Sequence, residues 1–160
     1  MRLLFLITPI ILSGCFGPEA PKPPKPTLKQ IKIITGNEIN ENLAVSVDFI
    51  QIYSKNLFGI LKKMNAAEFQ KQKSQLYFNH PNQFKIWSVE AIPNQISKCY
   101  QFPDKPPYWG MIAFVHFFNK ESNRLVFSTK QSCLGLSLEK QKIKIINQSA
   151  SDKCTILKGI

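Results

Sequence analysis

The side chains in this 160-residue sequence best suited to chemistry are four cysteines, Cys15, Cys99, Cys133 and Cys154, and two histidines, His80 and His116. Two distant histidines and no CxxC pair leave no tetrahedral zinc spacing. The GxSxG, HExxH and P-loop motifs, which would place a nucleophile, a metal-bound water or a phosphate cradle, are absent. His116 lies inside the apolar run Tyr108–Phe118, and with no partner evident it reads as a strand residue with a satisfied ring, not a general base. Asp48 and Glu90 occupy polar positions of alternating segments, which places them on solvent faces. Trp87, Tyr108 and Trp109 could stack on sugars, but aromatic residues in strands more often pack. This set points to no enzyme, metal, cofactor or small-molecule substrate.

Cys15 is the exception, because its surroundings assign it a reaction. Met1-Arg2 supplies one positive charge. An apolar stretch from Leu3 to Leu12 follows, and then Ser13-Gly14-Cys15. Charge, short apolar run and small residues in that order make a secretory signal. The stretch is about ten residues, whereas a membrane-spanning helix needs roughly 20. Leu12-Ser13-Gly14-Cys15 reads as a lipobox. Residues 1–14 are then a signal peptide, and the Cys15 thiol takes a diacylglyceryl group. Cleavage frees the Cys15 amine for a further acyl chain, and two or more chains hold a protein stably where one does not. Phe16 follows the cysteine rather than Asp, which favours the outer membrane, facing the periplasm. Residues 15–26 carry five prolines between Gly17 and Pro26 and form a semi-rigid tether of about 3 Å per residue.

Residues 27–160 are enough for one domain with one core. Without Arg2 the basic count falls from 21 to 20 against 10 acidic residues, a net of +10. Export argues against nucleic acid as the partner, and leaves anionic lipid, lipopolysaccharide or an acidic protein. The lysines are scattered, as on a solvated basic surface. Beyond Cys15 three cysteines remain, so at most one internal disulfide forms. Cys133 and Cys154 are the slightly preferred pair, because both sit outside the expected central strands.

Alternation and turn residues divide the domain into short strands. These fall at Gln30–Thr35, Val45–Tyr53, Phe84–Ile92, Ser97–Phe102, the apolar Tyr108–Phe118, Arg124–Ser128, Gly135–Leu138 and Lys142–Ile146, with an edge piece at Thr155–Leu157. Asn119–Asn123 is a hairpin turn. Leu57, Ile60, Leu61 and Met64 carry a helical stripe. Asn65 and Glu68 restart it in capping-box fashion, so a helix or bent pair covers Asn56–Phe78. The fold expected is a mainly β sandwich, transthyretin- or C2-like, of seven to nine strands with one helical insertion.

Between the first two strands lies Asn37-Glu38-Ile39-Asn40-Glu41-Asn42-Leu43. Ile39 and Leu43 are apolar residues in a polar connection, and Glu38 and Glu41 make an acidic spot on a basic chain. That composition suits docking. Alternatively, Ile39 and Leu43 fold under and cap the sandwich.

The order of features resembles the outer-membrane lipoproteins of type VI secretion systems, the TssJ family. The likeness covers about Ile31–Ile146. It rests on Ile31–Thr35, the polar Asn40-Glu41-Asn42-Leu43-Ala44, and Ile50-Gln51-Ile52-Tyr53. Asn65–Phe69 follows on a helix, then the turn Ile92-Pro93-Asn94-Gln95, then Tyr108-Trp109-Gly110-Met111-Ile112-Ala113-Phe114 with Arg124 downstream. Asn94 stands where the family has Gly, and Gln51 where it often has Arg. The resemblance implies a non-enzymatic scaffold anchored in the outer membrane. Its loop at residues 37–43 would bind the periplasmic domain of a large inner-membrane secretion protein of the TssM type. The residues alone leave room for another exported binding module, such as a pilotin-like assembly factor or a glycan- or peptidoglycan-binding surface protein.

Overall fold

The computed structural model describes residues 21–25, 28–95, 98–102, 107–118, 123–127 and 132–146. The signal segment, Cys15, Cys154, most of the Asn119–Asn123 turn and the expected Thr155–Leu157 strand lie outside them. Eight strands are described: β1 (Gln30–Thr35), β2 (Val45–Ile52), β3 (Phe84–Ala91), β4 (Lys98–Gln101), β5 (Gly110–His116), β6 (Arg124–Phe127), β7 (Cys133–Glu139) and β8 (Lys142–Ile146). Helices α1 (Lys55–Leu61) and α2 (Ala66–Asn79) lie between β2 and β3. One sheet has the order β4-β1-β7-β8 and the other β3-β2-β5-β6. Only β1 and β7 run parallel among the pairs described.

The two sheets meet through the alternating residues of their facing sides. Ile31 and Ile33 of β1, Val45, Val47 and Phe49 of β2, Met111, Ala113 and Val115 of β5, and Leu134 and Leu136 of β7 form this core. Strand β2 is also apolar on its other face, where Ile50 and Ile52 join Ile112 and Phe114 of β5. Leu57 and Leu61 of α1 and Phe69 and Leu76 of α2 cover that face. Phe69 stacks on Phe114, ring centres 4.5 Å apart and planes within 4°. The molecule is therefore three layers deep: sheet, sheet, helices.

The helical insertion is a bent pair, and its break is chemically defined. Asn65 Oδ1 accepts from the Glu68 N–H, and Glu68 Oε2 accepts from the Asn65 N–H, each at 2.8 Å. This reciprocal capping box starts α2 afresh. Ile60 faces outward within α1 and Met64 is half-buried beyond it, so of the expected stripe only Leu57 and Leu61 are fully buried. The Arg124 guanidinium donates to the Met64 carbonyl at 2.8 Å, tying β6 to the turn between the helices. In the turn Ile92–Gln95, Gln95 N–H donates to the Ile92 carbonyl at 3.3 Å, and Asn94 adopts φ 57°. Asn tolerates that left-handed backbone, so it serves where a glycine otherwise would.

Candidate functional site

The connection from β1 to β2 winds through a 3-10 turn at Ile39–Asn42. Asn40, Glu41 and Asn42 are consecutive left-handed residues, with φ of 47°, 58° and 64°. Asparagine visits this region most readily, while glutamate is strained there. Such strain persists only where surrounding contacts over-determine it, and here Asn40 supplies them. Its N–H donates to the Lys140 carbonyl at 2.7 Å, and its own carbonyl accepts from the Leu43 N–H at 3.0 Å. Its Oδ1 accepts from the Phe118 N–H at 2.6 Å, and its Nδ2 donates to the Ala44 carbonyl at 3.1 Å. One buried asparagine, through its carboxamide and its backbone N–H, thus binds the loop, the β7–β8 turn and the residues after β5 into a single tip.

The seven residues of this segment divide in two. Ile39 and Asn40 are buried, so Ile39 caps the sandwich. Asn37, Glu38, Glu41 and Asn42 are exposed, and Leu43 is 52% exposed. Phe118 is 72% exposed and held at the same tip by Asn40. The apolar run Tyr108–Phe118 places Phe118 inside a strand. Strand β5 ends at His116, and consecutive Phe117 and Phe118 cannot both face the core; Phe117 takes the inward position. That parity was the available signal. Ile92, also exposed, lies in the turn whose Gln95 carbonyl accepts from Thr35 Oγ1 at 3.3 Å, at the end of β1. The tip therefore presents separate apolar side chains in polar surroundings.

Its charge is mixed, not simply acidic. Lys140 Nζ lies 3.6 Å from Glu38, both side chains well exposed. Gln141 Nε2 donates to Glu41 at 3.4 Å. Lys144 donates to Glu139 Oε2 at 3.2 Å. The β7–β8 hairpin thus brings Lys140 against Glu38 and Gln141 against Glu41, correcting the isolated acidic spot expected from sequence.

Asp48 is a second correction. Strand alternation does place it on the face opposite the inter-sheet core, but α2 covers that face and leaves Asp48 2% exposed. Its Oδ2 accepts from Lys73 of α2 at 3.0 Å and from His116 Nε2 of β5 at 3.1 Å, and its Oδ1 accepts from Ser88 of β3. Burial alone would push the carboxyl up. The hydrogen bonds from His116, Ser88 and Lys73, with the Lys73 charge, outweigh burial and hold it at about 2. Serine, histidine and aspartate meet here, but in the wrong order for a nucleophilic relay, which needs the histidine between the other two. Here the carboxylate is the hub, and its work is to fasten α2 to three strands. Among the described residues no group of three or more His, Cys, Asp or Glu is placed to hold a metal.

The disulfide expectation also changes. Cys99 of β4 is disulfide-bonded, while Cys133 is a thiol. The expected Cys133–Cys154 pairing is therefore corrected.

No protein-family model matches the sequence, and no curated protein matches it either. Solved structures do match the fold. The chain is similar to the type VI secretion lipoprotein TssJ1 of Pseudomonas aeruginosa, with a TM-score of 0.60 at 11% identity over 78% of this chain and 98% of that one. Serratia marcescens Lip, a membrane-bound component of the type VI secretion system, gives 0.56 at 9% identity over 76% of this chain and 99% of that one. A third structure, of the C-terminal domain of the type VI secretion protein TssM from EAEC, gives 0.56 at 13% identity, over 75% and 98%. The fold is the TssJ-like β-sandwich.

Proposed function

We propose that the chain is a lipid-anchored scaffold of a type VI secretion membrane complex. Cys15 carries the acyl chains, which enter the outer membrane from its periplasmic side. The tip built from residues 37–43 and Phe118 docks on the periplasmic domain of an inner-membrane partner of the TssM type. The protein catalyses no reaction.

The observation that carries this reading is the polarity of the sandwich. The tether enters at the start of β1, where Leu28 is buried and Lys29 N–H donates to the Ser132 carbonyl at 2.9 Å. The strained, pinned loop follows the far end of β1. The point where the tether enters and the tip are thus at opposite ends of β1, which suits a protein that bridges a membrane and a partner away from it. Likeness to two type VI secretion lipoproteins supports the same reading.

Two experiments test the parts separately. Cys15→Ser should abolish fatty-acid labelling and release the protein from the outer membrane; labelling that persists contradicts the anchor. A photo-crosslinking residue at Phe118 or Leu43 should join the periplasmic domain of a secretion-system inner-membrane protein in cells. The same residue at Phe78, exposed on α2, should not. Equal products from all three positions contradict docking through the tip.

A further inference from the structure

The end of the sandwich opposite the tip has a distinct surface chemistry. Strand β2 returns from the tip and finishes at Ile52, beside the start of β1. Phe102 links the two: its N–H donates to the Lys29 carbonyl at 2.9 Å, and its ring meets Phe49 edge-on at 5.7 Å. From this end α1 projects, with Ser54 Oγ accepting from the Leu57 N–H. Trp109 is held beside it, its N–H donating to the Ile52 carbonyl at 2.8 Å.

Between α1 and Trp109 runs an open groove. The Phe58 ring lies against Gly110, where any Cβ would collide with it. Ile60 is 44% exposed at the rim. Lys55, Lys62 and Lys63 are exposed around it, and Lys55 Nζ sits 5.5 Å from the centre of the Trp109 ring. Among the described residues the only carboxylate lining the groove is Glu68, already engaged with the Asn65 N–H in the capping box.

We infer that this α1–Trp109 groove rests on the anionic phospholipid headgroups of the bilayer that holds the anchor. Two observations choose that occupant. Three lysines around an indole and exposed aliphatic carbon match an interface of negative headgroups over acyl chains, where amphipathic side chains place their polar ends in water and their bodies in the boundary. The groove also sits at the end where the tether enters. Twelve residues lie between Cys15 and Leu28, a reach of about 40 Å as a polyproline-like tether, so the acyl anchor keeps the groove at high local concentration over the headgroups. Each lysine near an anionic surface shifts partitioning by about five-fold, so a patch too weak to bind alone becomes occupied once tethered. Contact here points the tip away from the membrane.

The inference rests on the lipoprotein reading, and one experiment separates them. Purified acylated full-length protein is mixed with phosphatidylethanolamine vesicles, with or without phosphatidylglycerol, carrying brominated acyl chains. Flotation reports the anchor and tryptophan quenching reports the contact. The expected result is flotation with both vesicles, but quenching only with phosphatidylglycerol, reversed by salt. Trp109→Phe should remove the phosphatidylglycerol-dependent part of the quenching, while half-buried Trp87, packed on Phe102, remains as a common background in both proteins. Lys55→Glu/Lys62→Glu/Lys63→Glu should abolish quenching while flotation and circular dichroism are unchanged. Flotation without quenching, or quenching independent of phosphatidylglycerol, overturns the contact and leaves the anchor standing. Absence of flotation with phosphatidylethanolamine alone contradicts the anchor. In that case, flotation with phosphatidylglycerol supports the groove, and none there overturns it too.

Discussion

Asp48 carries the clearest consequence at the scale of single residues. Its carboxyl is held at about 2 against an ordinary 3.8. A depressed carboxylate contributes stability that is fully present above the ordinary value and lost as pH falls through the folded one. Thermal unfolding should therefore show a loss of about 2 kcal/mol between roughly pH 4 and pH 2 that Asp48→Asn lacks. Parallel profiles for the two proteins would mean that the hub contributes nothing. Asn40 supports a second prediction. Asn40→Ala removes the partners of the Phe118 N–H and the Ala44 carbonyl and places alanine at φ 47°. Unpaired groups and a strained backbone together should cost about 2–4 kcal/mol in denaturant unfolding. A change below about 0.5 kcal/mol would mean that the tip is not held by this side chain. The roles of Asp48 and His116 were half legible. Alternation gave their face, but alternation cannot say whether a helix covers that face. Ile50 and Ile52, on the same side of β2 as Asp48, carried that information: a strand apolar on both faces is buried on both.

Secondary-structure elements were the most legible level, because each has a period and a punctuation of its own. Strands β1 and β8 lie where the alternation of Ile31 with Ile33 and of Ile143 with Ile145 places them. The start of α2 follows from Asn65 and Glu68 alone. Strand β5 was overextended at its end, because an apolar run does not mark where pairing stops; Phe118 belongs to the tip for that reason. The bonded state of Cys99 was not legible, because disulfide pairing depends on which cysteines the fold brings within bonding distance and not on the segment each sits in. The core of β5 yields a quantitative test. Phe114 is fully buried and stacked on Phe69, joining the second sheet to α2. Phe114→Ala should cost about 3–5 kcal/mol in chemical denaturation. A loss below about 1 kcal/mol would mean that the register of β5 is wrong, since a one-residue slip exchanges the two faces.

At the scale of the whole molecule, the three layers separate two tasks. The helices and the start of β1 gather lysines and Trp109 at the tether end. The Asn40-pinned loop gathers Leu43 and Phe118 at the other. Exposed apolar groups within a polar rim are where interface energy concentrates, while rim charges mainly tune association. Glu38 and Glu41, already facing Lys140 and Gln141, should matter less than the two apolar residues. The decisive measurement is a calorimetric titration of the purified periplasmic domain of the inner-membrane partner with this protein, its Leu43→Glu/Phe118→Glu variant and its Glu38→Lys/Glu41→Lys variant. Docking through the tip predicts at least a 100-fold loss for the first variant, about 3 kcal/mol, and a smaller, salt-dependent loss for the second, with thermal stability nearly unchanged in both. Wild-type affinity in a well-folded Leu43→Glu/Phe118→Glu protein would contradict it.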